Sequence, residues 1–239
     1  MPAIVFWGIL KMKNGNIVNF RSLCDDKYNK KGMIFRCGLF HESEDFNILR
    51  KNKIKKVFDF RNNEEIQFDL AKIKKDIDFI KLPIVGYHEK FKIINNPTPE
   101  DYSNYYIDIL KCGRKSFSYI LKFMAKNEGK IPIVYGCNMG KDRTGVFSYL
   151  LLKIFGASID DIIEDYLLTG DYILNDKYFL DNINLKNIND LECRYKTKKE
   201  TIMLLQNKIK NNFISCDNYL NSIGINKKIR LEINKNWRK

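Results

Sequence analysis

The stretch Ile131-Pro132-Ile133-Val134-Tyr135-Gly136-Cys137-Asn138-Met139-Gly140-Lys141-Asp142-Arg143-Thr144-Gly145 decides the fold. The apolar run that ends at Tyr135 has the length of a buried strand, and Val146 to Phe155 has the composition of a buried helix. Between them a tight turn carries a cysteine and an arginine separated by five residues. Strand, turn and helix in that order make an anion trap. The amides from Asn138 to Arg143 can wrap an oxyanion at a helix N-terminus, where unpaired donors and the positive dipole end favour negative charge. Gly140 permits the curl, and the planar fork of Arg143 matches two phosphate oxygens as no ammonium can. A cysteine facing such donors and a cation ionises at roughly pH 3.5 to 7.5 rather than about 8.5. Cys137 therefore reads as a thiolate poised for in-line attack on phosphorus, with Thr144 donating to the sulfur when it later leaves.

Working outward, short apolar runs at Val5 to Ile9, Met33 to Phe35, Val57 to Phe60, Phe79 to Leu82 and Ile131 to Tyr135 read as strands. Phe117, Ile120, Leu121 and Met124 recur at helical spacing just before the last of these, as do Ile202, Leu205, Ile209 and Phe213 near the end. Ser43-Glu44-Asp45 opens a helix through Leu49, and Ser158-Ile159-Asp160-Asp161 caps one that runs to Leu168. Strands separated by helices predict an α/β fold: a single domain over 1–239 with a mainly parallel central sheet flanked by helices and ligands at the carboxyl ends of the strands. Cys137 falls at such an end.

The 239 residues suffice for one sizeable core, and no Pro/Gly/Ser linker or internal repeat divides them. Forty-two basic against 29 acidic residues give a net charge of +13, dispersed along the chain. Such a field draws in phosphorylated, anionic substrates and favours peripheral contact with an acidic membrane. Nucleic acid is not an expected partner, because no zinc-finger spacing, aromatic RNA-binding signature or basic recognition helix accompanies the charge. The six cysteines lie far apart without a C-x-x-C pair, which argues against a metal site, and a thiolate nucleophile requires a reducing compartment. Cys24 and Cys37 read as small core or surface residues rather than disulfide partners of Cys137. Pro2 to Leu10 lacks a basic leader and reads as a first strand, not a signal peptide. A cytoplasmic monomer is the expectation.

The string from Cys137 to Gly145 resembles the signature H-C-x-x-G-x-x-R-[ST]-G of the cysteine-dependent protein tyrosine phosphatases. Its Lys-Asp pair before the arginine is similar to the bacterial tyrosine/serine and lipid phosphatase family. Asn19-Phe20-Arg21-Ser22-Leu23, Gly32-Met33-Ile34-Phe35-Arg36-Cys37, Val57-Phe58-Asp59-Phe60-Arg61-Asn62 with Glu65, Ile163 to Leu167 and Tyr219 to Ile225 follow in the family's order. The resemblance implies a tyrosine-phosphatase-like fold and hydrolysis of phosphotyrosine, with phosphoserine, phosphothreonine and phosphoinositides as further substrates, and no cofactor. In related enzymes the stretch matching 171–198 can form a helical lid, in which Tyr172, Tyr178 or Phe179 would shield the thiolate; a surface excursion with no gating role is the alternative reading. Some members of the family are exported. Two departures stand out: Gly136 replaces the histidine before the cysteine, and Ser22 replaces an aspartate.

Within this frame Cys137 is the expected nucleophile, and the phosphate is held by Asn138, Met139, Gly140, Lys141, Asp142, Arg143, Thr144 and Arg61. Lys141 is placed on the rim of the cradle. The loop Ile84 to Glu89 carries no carboxylate close behind Leu82-Pro83, so Asp142 is the first choice of general acid and then general base, and Asp59 the second. Asp59 has an alternative role as an orienting group, with Arg61 and Glu65 in an ion-pair network. His41 and His88 read as loop residues. A catalytically inactive module that only binds phosphoproteins or phosphoinositides is the competing class, with Gly136 as its mark; sulfur transfer by a rhodanese-like loop is a more distant third.

Overall fold

A computed structural model of the chain describes residues 17–38, 45–65, 77–85, 91, 94, 96–127, 129–176, 179–180 and 188–239. The predicted strand at Val5 to Ile9, both histidines, Tyr178 and the loop from Gly86 to Glu89 lie outside the described residues, as do Ser43 and Glu44.

Among the described residues five strands form one sheet: β1 (Arg21–Ser22), β2 (Ile34–Cys37), β3 (Lys56–Asp59), β4 (Asp78–Lys81) and β5 (Ile133–Gly136), in the order β1-β2-β5-β3-β4. All pairings are parallel except that of the edge strand β1 with β2. The predicted mainly parallel α/β sheet is therefore present, and β5 occupies its middle. A central strand with both faces covered must be apolar throughout, which is why Ile133, Val134 and Tyr135 are all buried. Alternation assigns the faces. Ile34, Phe58, Ile133 and Tyr135 join the larger core with the helices, while Phe35, Cys37, Val57 and Val134 join a smaller one with Leu49.

Among the described residues the helices are α1 (Asp45–Lys51), α2 (Pro99–Cys112), α3 (Arg114–Lys126), α4 (Asp142–Ile154), α5 (Ile159–Leu174), α6 (Ile188–Tyr195), α7 (Lys199–Phe213), α8 (Cys216–Ser222) and α9 (Lys227–Trp237). Their starts follow local chemistry. Thr98 and Asp101 form a reciprocal capping box ahead of α2, with Pro99 in the first turn. Ser158 and Asn226 accept from the third amide of α5 and α9. The helix predicted from Ser158 to Leu168 extends to Leu174, because Ile173 finds a buried place against Met139 and Val18. At the far end Trp237 is fully buried and donates to the Met124 carbonyl at 2.7 Å, tying α9 to α3.

Candidate active site

The turn from β5 into α4 places Cys137 at the carboxyl end of the central strand, buried to 4% exposure. Thr144, in the first turn of α4, points its hydroxyl at the Cys137 sulfur across 3.1 Å. No side chain caps α4, and the amides of Asn138, Met139, Gly140, Lys141 and Asp142 meet no acceptor among the described residues. A helix start left uncapped in this way presents donors and dipole to an incoming anion. Gly140 has φ +64°, and a Cβ there would sit 2.6 Å from the Cys37 carbonyl. Only glycine fits that bend.

Arg143 is buried and its guanidinium is already oriented. It donates to Glu65 through both terminal nitrogens, at 2.8 and 2.6 Å, and to the Phe60 carbonyl at 3.0 Å. Glu65 is fixed in turn: Asn62 amide donates to it at 2.9 Å, its own amide donates to the Asn62 side chain at 2.8 Å, and Asn138 donates to it at 2.5 Å. A planar fork gripped by a carboxylate loses little rotamer freedom when it meets a phosphate.

Asp142, the first residue of α4, pairs with Lys141 at 2.7 Å rather than with Arg143. Tyr106 of α2 donates to the same carboxylate oxygen at 2.8 Å, and Tyr166 of α5 lies 2.8 Å from Tyr106. Since the Tyr106 proton is committed to Asp142, Tyr166 is the donor in that second contact. Burial, with Asp142 adding to it, pushes the Tyr106 phenol well above its ordinary value, so the chain of hydroxyls keeps its protons at neutral pH. Lys141 does not stand on the rim as the sequence suggested. It is buried, with its ammonium 3.9 Å from the centre of the Tyr102 ring. Burial pulls its affinity for the proton down, but Asp142, Tyr102 and Tyr166 more than offset this, and the ammonium stays above the ordinary lysine value.

Asp59 and Arg61 form a buried ion pair. The Arg61 side chain donates to both Asp59 oxygens at 2.6 to 2.9 Å, its amide adds a bond at 2.9 Å, and both residues are nearly inaccessible. A carboxylate so engaged suits the orienting role better than proton transfer. Glu65 pairs with Arg143. In the segment expected to be a lid, Phe179 is fully buried with Met139, Ile173 and Tyr195, and Tyr172 lies 5.4 Å beneath the Arg21 guanidinium. Phe179 therefore packs in one cluster with the loop residue Met139, while Tyr172 stays exposed. Cys37 faces the smaller core, on the side of the sheet opposite Tyr135 and Cys137.

Sequence reasoning gave no role to Asn19, Arg21, Arg36, Asp165 and Thr169, all buried behind the loop. Asn19 donates to the carbonyls of Met139 and Gly140 at 3.2 and 3.0 Å, and Arg36 donates to Gly140 at 2.8 Å. Arg21 donates to the Asn19 side-chain oxygen at 2.5 Å, and both arginines pair with Asp165. The available signal was Arg36 itself, a charge inside the apolar run Met33 to Cys37, which a buried strand tolerates only with partners. No group of three or more His, Cys, Asp or Glu side chains suited to a metal occurs among the described residues.

A cysteine-and-arginine anion loop at the carboxyl end of a central parallel strand defines the phosphatases that work through cysteine. The chain belongs to the tyrosine phosphatase family, whose profile matches residues 12–239, and is a phosphoric monoester hydrolase. Among solved structures it is similar to the Siw14 catalytic core, at 18% identity over 83% of this chain and 95% of that one, with a TM-score of 0.45. It is also similar to the core catalytic domain of the PP-IP phosphatase SIW14 from S. cerevisiae in complex with citrate, at 18% identity over 82% and 94%, with a TM-score of 0.41. No curated protein matches the chain. No helix among the described residues is long and apolar enough to cross a membrane.

Proposed function

We propose that the chain hydrolyses phosphotyrosine, and with it phosphoserine, phosphothreonine and phosphoinositides, through a cysteinyl-phosphate formed on Cys137. The observation that carries this reading is the uncapped start of α4, with the Cys137 sulfur 3.1 Å from Thr144 and the Arg143 fork held by Glu65. In the first step the sulfur attacks phosphorus in line while the ester oxygen departs. Loop amides and Arg143 hold the charge on the transferring group, the term that dominates phosphoryl transfer. Asp142, protonated in the reacting complex, supplies the proton to the leaving oxygen. In the second step water attacks the phosphocysteine, Asp142 takes its proton, and Thr144 steadies the departing thiolate.

The competing module that binds without turnover draws on Gly136. A Cβ at 136 would lie 2.8 Å from the Cys37 carbonyl and 2.9 Å from its sulfur, so in this chain the close β2–β5 pairing itself selects glycine there. The glycine thus has a packing cause independent of lost activity. Inorganic phosphate released from an aryl phosphate by the wild type, and abolished in Cys137→Ser, is the expected result. Tight oxyanion binding with no release by the wild type sinks the proposal and leaves the module.

A further inference from the structure

Peptide planarity turns the contacts behind the loop into a statement about its front. In a trans peptide the carbonyl and the following amide point in opposite directions. Asn19 pulls the Met139 carbonyl backward, so the Gly140 amide faces forward; Asn19 and Arg36 do the same to the Gly140 carbonyl, so the Lys141 amide faces forward as well. The side-chain amide of Asn19 cannot flip, because Arg21 donates to its oxygen at 2.5 Å. Asn19 itself adopts φ +55°, a conformation uncommon outside glycine, and holds it while almost fully buried.

From this geometry we infer that Asn19, Arg21 and Arg36 are positioning residues that hold the oxyanion loop open in its binding shape before any ligand arrives. The inference rests on reading the loop as the phosphate site. The cluster would position the loop in a chain that has Gly136 where the signature has a histidine. The cluster is also under-neutralised: two guanidinium groups share the single carboxylate of Asp165, with Thr169 accepting from both, and neither Nε has a partner among the described residues. Burial, with the neighbouring Arg36 adding to it, pushes Arg21 down to about 10. One buried positive charge therefore remains directly behind a loop built to receive an anion, where it is screened less than at the surface. An ordinary structural ion cluster needs neither the excess charge nor the bonds to two consecutive loop carbonyls.

The test is vanadate affinity, measured by titration beside a melting curve. Asn19→Asp keeps the volume and the Arg21 contact but sets a carboxylate oxygen against two carbonyls. It is expected to remain folded and to lose at least about ten-fold in vanadate affinity, with kcat for an aryl phosphate falling too. Arg36→Lys keeps the charge but loses the planar fork whose two nitrogens serve Gly140 and Asp165 separately; it is expected to lose affinity in the same direction and carries the test if Asn19→Asp does not fold. Wild-type vanadate affinity in a folded variant overturns the inference. Failure of the wild type to bind vanadate overturns both this and the catalytic reading, whereas vanadate binding without phosphate release overturns the catalytic reading alone.

Discussion

Asp142 shows how one residue's role is fixed by what surrounds it. A carboxylate beside an arginine in sequence invites an ion pair with that arginine, yet the helix start turns Arg143 toward Glu65 and leaves Asp142 with Lys141 and Tyr106. At 24% side-chain exposure it keeps an opening through which a substrate oxygen can be reached. Asp142→Asn is therefore expected to slow cleavage of an alkyl phosphate by about 10²-fold or more while leaving an activated aryl phosphate nearly unaffected. Equal losses on both substrates contradict the assignment, and a melting curve accounts for what Lys141 loses when its counter-charge goes. Cys137, Arg143 and Thr144 were legible because their partners lie within one turn of chain. Asn19 and Arg36 were not, since their acceptors at Gly140 stand 121 and 104 residues away and no local pattern encodes such a contact. Lys141 was misplaced for a related reason: the ring that receives it belongs to Tyr102 on another helix.

At the scale of elements, periodicity gave four of the strands to within two residues and α3 and α7 to within three, because the apolar residues that set the pattern are the ones these elements pack inward. The helix α2 was overlooked although Thr98-Pro99-Glu100-Asp101 announces its start, since its many tyrosines blur the apolar stripe. The two-residue strand β1 has no signal of its own and exists through its pairing with β2. One junction is strained. Ile214, just after α7, sits at φ +69° with 77% of its surface exposed, so a β-branched residue bears a left-handed backbone without repaying it in packing. Ile214→Gly keeps the amide bond to the Lys210 carbonyl and is expected to raise stability by about 1 kcal/mol. Urea unfolding checks this: a higher midpoint at unchanged slope supports the strain account, and a lower one refutes it.

For the whole molecule, strand order explains why this one loop matters. β5 lies between parallel neighbours on both sides, so the chain leaving its carboxyl end enters α4 over the middle of the sheet, where Glu65 from beyond β3 and Arg36 from β2 can converge on it. The net charge of +13 acts on top of that architecture. Screening shortens its reach to about 10 Å at 0.1 M salt, so kcat/KM for a dianionic phosphate ester is expected to fall several-fold between low and moderate ionic strength, with kcat changing little. An unchanged kcat/KM assigns the charge to solvation alone. The central claim is that phosphate passes through the Cys137 sulfur. Acid quenching during turnover of an aryl phosphate, followed by mass spectrometry of the digested chain, tests it most directly. The account predicts a phosphoryl group on the peptide carrying Cys137; a phosphoryl group on any other residue, or a burst of released phenol with no phosphocysteine, contradicts it.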